Sequence, residues 1–136
     1  MDCPFCNLNK EKIIAETKFC YALLSNPRLM PGHTLIIPKR HVEKLSELSD
    51  EELKDIIRLT IEFQEKIIKN IAFGCDIAEH YRPFQKQDRL KVNHLHIHLQ
   101  PRELFDNLYQ KCQIFEKEVW EDLTEKESKE ILDFFK

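Results

Sequence analysis

Three apolar segments in the first 38 residues predict β-strands. Residues 12–16 and 18–25 predict two strands, the second rich in aromatic and aliphatic side chains. Turn-forming pairs at 26–27 and 31–32 separate them from a third segment, residues 33–38, which is nearly all apolar. Such a run is typical of a buried strand, and it ends at Pro38.

The next segment has the spacing of an amphipathic helix. Ser49 and Glu52 form a capping-box pattern, and Asp50 and Glu51 place acidic groups in the first turn. The helix is expected to cover a sheet and to end near Gly74. Its predicted buried stripe consists of Leu53, Ile56, Ile57, Thr60, Ile61, Gln64, Ile67, Ile68 and Ile71.

A predicted strand at residues 75–81 and a polar loop precede a run in which polar and apolar residues alternate with a period of two. In the run 93–99, His94, His96 and His98 alternate with apolar residues, so a strand would place the three imidazoles on one face. A short helix is expected from about Glu103, and a second one after Thr124. Together the elements predict an α+β fold, an antiparallel sheet covered by one long helix, with a C-terminal helical extension.

Composition narrows the class of protein without identifying it. The chain has 136 residues, 42% hydrophobic and 33% charged, which fits a single soluble domain over residues 1–136. A net charge of −3 gives no reason to expect a nucleic-acid partner, and no apolar stretch is long enough to cross a membrane. No signal peptide is visible, so we expect a cytoplasmic location.

The five cysteines suggest a metal rather than a disulfide framework. Cys3 and Cys6 have the C-x-x-C spacing of a zinc knuckle, and zinc needs four nitrogen or sulfur ligands. The best candidates for the other two are His41 and His94. Four such ligands would close the coordination shell and make the zinc structural. The alternative is a frayed terminus without metal.

The middle histidine of the run, His96, is the candidate nucleophile. A neutral imidazole can attack phosphorus if its other nitrogen donates to a carbonyl that fixes the tautomer. A competing interpretation makes all three histidines ligands of an open metal site. Residues four apart on a strand lie about 13 Å from each other, so this geometry favours the nucleophile.

A basic segment precedes the histidine run. The segment contains only one acidic residue, Asp88, so its positive charge would attract a polyphosphate. The alternative is a solvated loop with no such role. With only two glycines in the chain, a glycine-rich phosphate loop is excluded. The basic residues are Arg82, Lys86, Arg89 and Lys91, with Arg102 just beyond the run.

The motifs together resemble the histidine triad (HIT) superfamily, whose signature is H-x-H-x-H with apolar residues between. The resemblance includes residues 94–100, the Cys-Pro-Phe-Cys motif at 3–6, the block 31–41 and the helix from Ser49. It covers most of residues 1–102, whereas 103–136 form an extension that matches no motif.

This resemblance implies an enzyme that acts on nucleotides and forms a homodimer. His96 would attack an α-phosphorus and form a nucleotidyl-histidine intermediate, His98 would hydrogen-bond the phosphate, and His33 would support the histidine network. In zinc-containing members the ligands correspond to the four residues already selected: Cys3, Cys6, His41 and His94.

The same resemblance implies how the substrate is held. The strand around Phe19 and Leu24 is similar to the wall that holds the base. Ser25, with Asn26 beside it, stands where many members have an acidic residue or asparagine that holds the ribose. The glycine-rich stretch of many members is missing, so the phosphate contacts pass to side chains such as Arg89 and Lys91.

Two functions remain open at this point. The first is a hydrolase or transferase acting on a dinucleoside polyphosphate or a nucleoside phosphoramidate. The second is a zinc-stabilised nucleotide-binding or scaffold protein with little catalysis.

Overall fold

The computed structural model describes residues 3–136, which divide into two compact units. The first unit extends to Leu104, and the second comprises Phe105–Lys136. This division lies close to the predicted start of the extension at residue 103. Whether the whole chain acts as a single domain stays a prediction.

The first unit is a five-stranded antiparallel sheet with one long helix, which confirms the predicted α+β class. Antiparallel pairing gives the strand order β1-β2-β3-β5-β4, so β5 lies between β3 and β4. The elements are β1 (Ile13–Glu16), β2 (Cys20–Leu24), β3 (Thr34–Pro38), α1 (Asp50–Asn70), β4 (Gly74–Glu79) and β5 (Ile97–Arg102).

Both faces of the sheet are packed. Ile36 and Ile97 pair across β3 and β5 and point into the larger core beneath α1. On the opposite face, Leu23, Leu35 and Ile37 form a smaller cluster that Phe5 and Leu8 cover. All five residues of β3 are buried, as its continuous apolar pattern predicts.

The buried face of α1 differs from the predicted stripe. Leu59 and Phe63 are buried, whereas Ile57, Ile61 and Ile68 are about half exposed. Apolar residues occupy more than half of the helix circumference, so spacing alone allowed more than one buried face. The bulky Leu59 and Phe63 side chains fill the core, and the isoleucines at positions 57, 61 and 68, on the other edge of the apolar arc, stay half exposed.

The histidine run is only partly in a regular strand. The β5 ladder begins at Ile97, whereas a strand over 93–99 was expected. Upstream, Leu95 N–H donates to the Val42 carbonyl at 2.6 Å, so this stretch pairs with the segment after β3. The predicted alternation is confirmed, because Leu95, Ile97 and Leu99 all lie in the core beneath α1.

The second unit is helical. Asp106 caps α2 (Asn107–Lys111), accepting from Tyr109 N–H at 2.8 Å. Thr124 caps α3 (Glu125–Phe135) by accepting from Glu127 N–H at 3.1 Å, so this helix begins directly after Thr124, as expected. Throughout residues 3–136, the helices are too short or too polar to span a bilayer.

Candidate active site and metal centre

The strand order brings all six histidines of the chain to one region. Because β5 lies between β3 and β4, residues at the ends of those strands lie beside the histidine run. His33 precedes β3 and His41 follows it, while His80 follows β4. Four ring pairs within this group have centroids 4.8–5.3 Å apart: His96–His98, His41–His94, His33–His98 and His80–His98.

A chain of hydrogen bonds fixes the proton positions on His33 and His98. Leu29 N–H donates to His33 Nδ1 at 3.1 Å, so this nitrogen is an acceptor and Nε2 carries the proton. His33 Nε2–H then donates to His98 Nδ1 at 2.8 Å. The remaining nitrogen of His98, Nε2, therefore carries a proton that it can donate to a ligand.

His96 has the opposite arrangement. Its Nδ1–H donates to the His94 carbonyl at 2.7 Å, which leaves the Nε2 lone pair free. The ring of Phe5 packs edge-on against His96 with centroids 5.1 Å apart, which fixes the plane of the imidazole. A half-buried imidazole with an available Nε2 lone pair is suited to nucleophilic attack.

The environment keeps these imidazoles neutral. Burial lowers the pKa of His33, and His96 lowers it further. Burial also lowers the pKa of His96; the hydrogen bond to the His94 carbonyl opposes this shift in part, and His80 adds to it. Burial, with His96, His33, His80 and Arg82, lowers the pKa of His98 to about 3. At neutral pH the site therefore holds uncharged rings, and His96 keeps its lone pair.

The first cysteine pair and two histidines form a second cluster beside the triad. The ligand atoms of Cys3, Cys6, His41 and His94 all lie within 4.8 Å of one another. His94 Nδ1 is 3.3 Å from Cys3 Sγ, 3.6 Å from Cys6 Sγ and 3.1 Å from His41 Nδ1. These four residues are close enough to hold a metal ion.

Main-chain hydrogen bonds orient the cysteines and His94 so that their ligand atoms lie close together. Cys6 N–H donates to the Cys3 carbonyl at 3.1 Å, a turn that brings the two cysteines together. His94 is buried, and its Nε2–H donates to the Pro38 carbonyl at 2.8 Å, which turns Nδ1 toward the sulfur atoms. His41 Nδ1 lies 3.4 Å from Cys6 Sγ.

The edge lengths fit tetrahedral zinc. With Zn–S near 2.3 Å and Zn–N near 2.05 Å, a tetrahedron has S–N edges of about 3.6 Å and N–N edges of about 3.4 Å. Three of the four S–N separations are 3.3, 3.4 and 3.6 Å and the N–N separation is 3.1 Å, and all four ligand atoms lie within 4.8 Å of one another. Four such ligands would fill the shell and leave no position for substrate.

The residues expected to hold the nucleoside lie at β2 and in the loop that follows it. Phe19 packs against the core beneath α1 and Leu24 is 57% exposed at the end of β2. Ser25 begins the β2–β3 loop, where its hydroxyl donates to the Pro27 carbonyl at 2.7 Å and its N–H donates to the His33 carbonyl at 2.8 Å. Asn26 is exposed on the same loop.

The ammonium of Lys91 organises the loop between β4 and β5. It donates to the Arg82 carbonyl at 2.6 Å, the Gln85 carbonyl at 2.9 Å and Asn93 Oδ1 at 2.8 Å. All three of its protons are therefore used within the loop. Arg89 is exposed on the same loop.

Two residues near the triad were missed as site candidates from the sequence. His80 lies directly after β4, and its ring faces His98. Arg82 was noted only as part of the basic segment, yet its charge contributes to the lowered pKa of both His80 and His98. His80 could have been identified from the antiparallel pairing of β4 with the histidine strand. Glu79 pairs with Ile97, so the residue after Glu79 lies opposite His96.

Comparison with known proteins gives a consistent picture. The family model described as HIT domain matches residues 7–104. Adenosine 5'-monophosphoramidase of Schizosaccharomyces pombe is 36% identical over 109 residues, which cover 75% of each chain. Bis(5'-adenosyl)-triphosphatase of Dictyostelium discoideum is 31% identical over 138 residues, covering 94% of this chain and 88% of that relative.

A solved structure with metal extends the comparison. The zinc-bound histidine triad family protein of Mycobacterium smegmatis aligns with a TM-score of 0.66 and 27% identity. The alignment covers 79% of this chain and 80% of that protein.

Proposed function

The chain belongs to the HIT domain family, and we propose that it is an enzyme that hydrolyses or transfers nucleotides. The reaction takes place at an α-phosphorus, through a covalent nucleotidyl-histidine intermediate. One observation carries the proposal. The Nδ1–H of His96 is held by the His94 carbonyl at 2.7 Å, so the lone pair of Nε2 is available.

In this mechanism the three histidines have different roles. His96 Nε2 attacks phosphorus and the bond to the leaving group breaks; an acceptor, water in the hydrolase, then displaces His96. His98 Nε2–H donates to a phosphoryl oxygen and stabilises its developing charge. His33 holds the tautomer of His98 through the 2.8 Å hydrogen bond and acts as a positioning residue.

The nucleoside end of the substrate is proposed to lie against the β2–β3 loop. Leu29 of this loop donates to His33, which connects the loop to the triad. The hydroxyl of Ser25 uses its proton on Pro27, so its oxygen can still accept from a ribose hydroxyl. Asn26 and Leu24 are the exposed neighbours that would contact the sugar and base.

The metal is proposed to be a structural zinc held by Cys3, Cys6, His41 and His94. The donor set of two sulfurs and two nitrogens suits Zn²⁺, and the observed edge lengths support it. Because Phe5 lies between the two cysteines and packs on His96, a folded knuckle would also stabilise the nucleophile.

The zinc proposal predicts a stoichiometry and a loss of stability. Elemental analysis should find close to one zinc per chain. The double variant C3S/C6S should bind none, and its Tm should fall by at least about 10 °C, because metal binding contributes directly to folding. C112S, which removes an exposed cysteine of the second unit, is the control and should match the wild type. An unchanged Tm in C3S/C6S without zinc in the wild type would contradict the site.

Enzymatic function is tested with two substrates and one variant. Purified protein is assayed with diadenosine triphosphate and with adenosine 5'-phosphoramidate. H96G should lower kcat/KM at least about 1,000-fold on whichever is turned over, because it removes the attacking group, while nucleotide binding and Tm stay near wild type. Nucleotide binding without turnover by the wild type would favour the scaffold alternative.

The homodimer and the cytoplasmic location implied by the resemblance stay predictions. One observation supports association of two chains, namely the half-exposed isoleucines on the outer side of α1, at positions 57, 61 and 68.

A further inference from the structure

The loop after β4 carries a cation that the fold does not use. Arg82 is exposed, and within residues 3–136 its guanidinium has no carboxylate partner and no hydrogen bond. Lys91 of the same loop differs, because its ammonium is held by three oxygen atoms. An unpaired guanidinium remains available to a ligand, and its planar set of donors matches phosphate oxygens.

This cation lies next to the triad. Arg82, His80 and Asn93 line a small cleft that also reaches the buried His94. His80 connects the cleft to the reacting group, because its ring is 5.3 Å from that of His98, which is 4.8 Å from His96. Burial is the main reason for the lowered pKa of His98 and of His80, and the charge of Arg82 contributes to both, which is consistent with this proximity.

The cleft contains one opposing charge. Glu43 is the single carboxylate among its lining residues. A phosphate in the cleft would be repelled by the carboxylate of Glu43 and attracted by the guanidinium of Arg82. Arg82 is therefore the group of the cleft that would bind a phosphate, with His80 as its neighbour.

We propose that Arg82, with His80 beside it, forms the subsite for the leaving phosphate, so that the enzyme prefers substrates whose leaving group is a phosphate chain over those whose leaving group is an amine. This inference rests on the proposed function and specifies its substrate class. It makes Arg82 a specificity-determining residue in a family whose relatives include both a phosphoramidase and a triphosphatase.

The chemistry explains why the cation discriminates. When the lone pair of His96 Nε2 forms the N–P bond, the bond from phosphorus to the bridging oxygen breaks and its electron pair stays on that oxygen. The oxygen becomes a terminal oxygen of the leaving phosphate and gains one negative charge, which the guanidinium stabilises. Water then forms an O–P bond, the N–P bond breaks with its electron pair returning to His96, and the proton of water passes to solvent. An amine leaving group offers Arg82 no phosphate to hold.

The experiment compares two arginine variants on two substrates. Wild type, R82A and R58A are assayed on diadenosine triphosphate and on adenosine 5'-phosphoramidate, with Tm measured for each protein. Arg58 is an exposed arginine of α1, so R58A makes the same change of charge away from the histidines. R82A should lower kcat/KM for the triphosphate about 10- to 100-fold and change that for the phosphoramidate by less than about threefold. R58A should match the wild type on both.

Each other result has a defined meaning. Equal losses on both substrates in R82A, or no loss on either, would overturn the leaving-phosphate subsite while the enzyme itself remained established. Equal losses of kcat/KM in R58A and R82A would show that net charge alone causes the effect, and would also overturn the leaving-phosphate subsite. A wild type that turns over neither substrate and forms no histidine adduct would contradict the proposed function, and the subsite with it.

Discussion

At the scale of single residues, the chemistry of the histidine cluster depends on which nitrogen of each ring carries the proton. Main-chain groups decide this for three of the rings: Leu29 N–H for His33, the His94 carbonyl for His96 and the Pro38 carbonyl for His94. Similar imidazoles thereby become a positioning group, a candidate nucleophile and a candidate ligand. The backbone supplies this difference, so it does not depend on other titrating side chains.

The lowered pKa of His98 predicts how stability depends on pH. Its pKa is about 3 in the folded protein and near 6.5 when unfolded, so the unfolded chain binds the proton more readily. The contribution of His98 to stability is therefore fully present above about pH 6.5 and is lost as the pH falls toward 3. Between pH 7 and pH 5 this one group should lower the free energy of unfolding by about 2 kcal/mol.

The variant H98Q isolates this contribution. Glutamine can still accept from His33 Nε2–H but does not titrate, so the loss of stability between pH 7 and pH 5 should be about 2 kcal/mol smaller than in the wild type. Urea unfolding at the two pH values measures the difference, and the zinc ligands are the same in both proteins. Identical pH dependence in H98Q and wild type would show that His98 is not held neutral.

At the scale of elements, one carboxylate connects the start of α1 to the end of β3. Glu52 accepts from Ser49 N–H at 2.9 Å, which completes the capping box, and binds Arg40 at 2.8 Å. Arg40 directly precedes His41 and also donates to the Glu47 carbonyl at 2.7 Å. The cap of α1 thus helps to hold the segment that carries one of the proposed zinc ligands.

This contact predicts an effect larger than that of an ordinary surface charge. Arg40 and Ser49 lower the pKa of the buried Glu52 to about 2. E52Q should therefore lower the free energy of unfolding by about 2 kcal/mol at pH 7, as measured by urea unfolding. The difference from wild type should persist above about pH 4.5 and shrink as the pH falls toward 2.

A neighbour in the same turn provides the control. Glu51 is exposed and carries the same charge near the helix N-terminus, so E51Q should change stability by less than about 0.5 kcal/mol. Equal effects of the two substitutions would mean that the helix dipole, not the Arg40 and Ser49 contacts, accounts for the stabilisation.

At the scale of the whole molecule, local patterns were sufficient for the elements and for much of their arrangement. The alternation at 94–99 placed Leu95, Ile97 and Leu99 on the core face, and the capping box fixed the start of α1 at Ser49. The strand alternation and the capping box each depend only on residues close together in sequence, so local geometry alone determines them. The grouping of Cys3, Cys6, His41 and His94 followed from the limited number of ligands that zinc accepts.

Other features that depend on contacts distant in sequence, unlike the grouping of the metal ligands, could not be predicted. The orientation of α1 is set by how Leu59 and Phe63 fit the sheet, which spacing alone leaves open. His80 reaches the triad only because β4 pairs with β5 in one particular register. Two basic residues of the same loop also have different environments. The ammonium of Lys91 donates to three oxygen atoms of the loop, whereas Arg82 is exposed.

Covalent attachment of the nucleotide to His96 is the step on which the proposed function depends, and a mass measurement on the intact protein detects it. Wild type and H96G are mixed with diadenosine triphosphate, quenched in alkali within the first turnovers, and analysed intact and after proteolysis. We expect one nucleotidyl group per chain, located on the peptide with His96, lost on acid treatment and missing from H96G. Turnover without any adduct, or the same adduct in H96G, would contradict it.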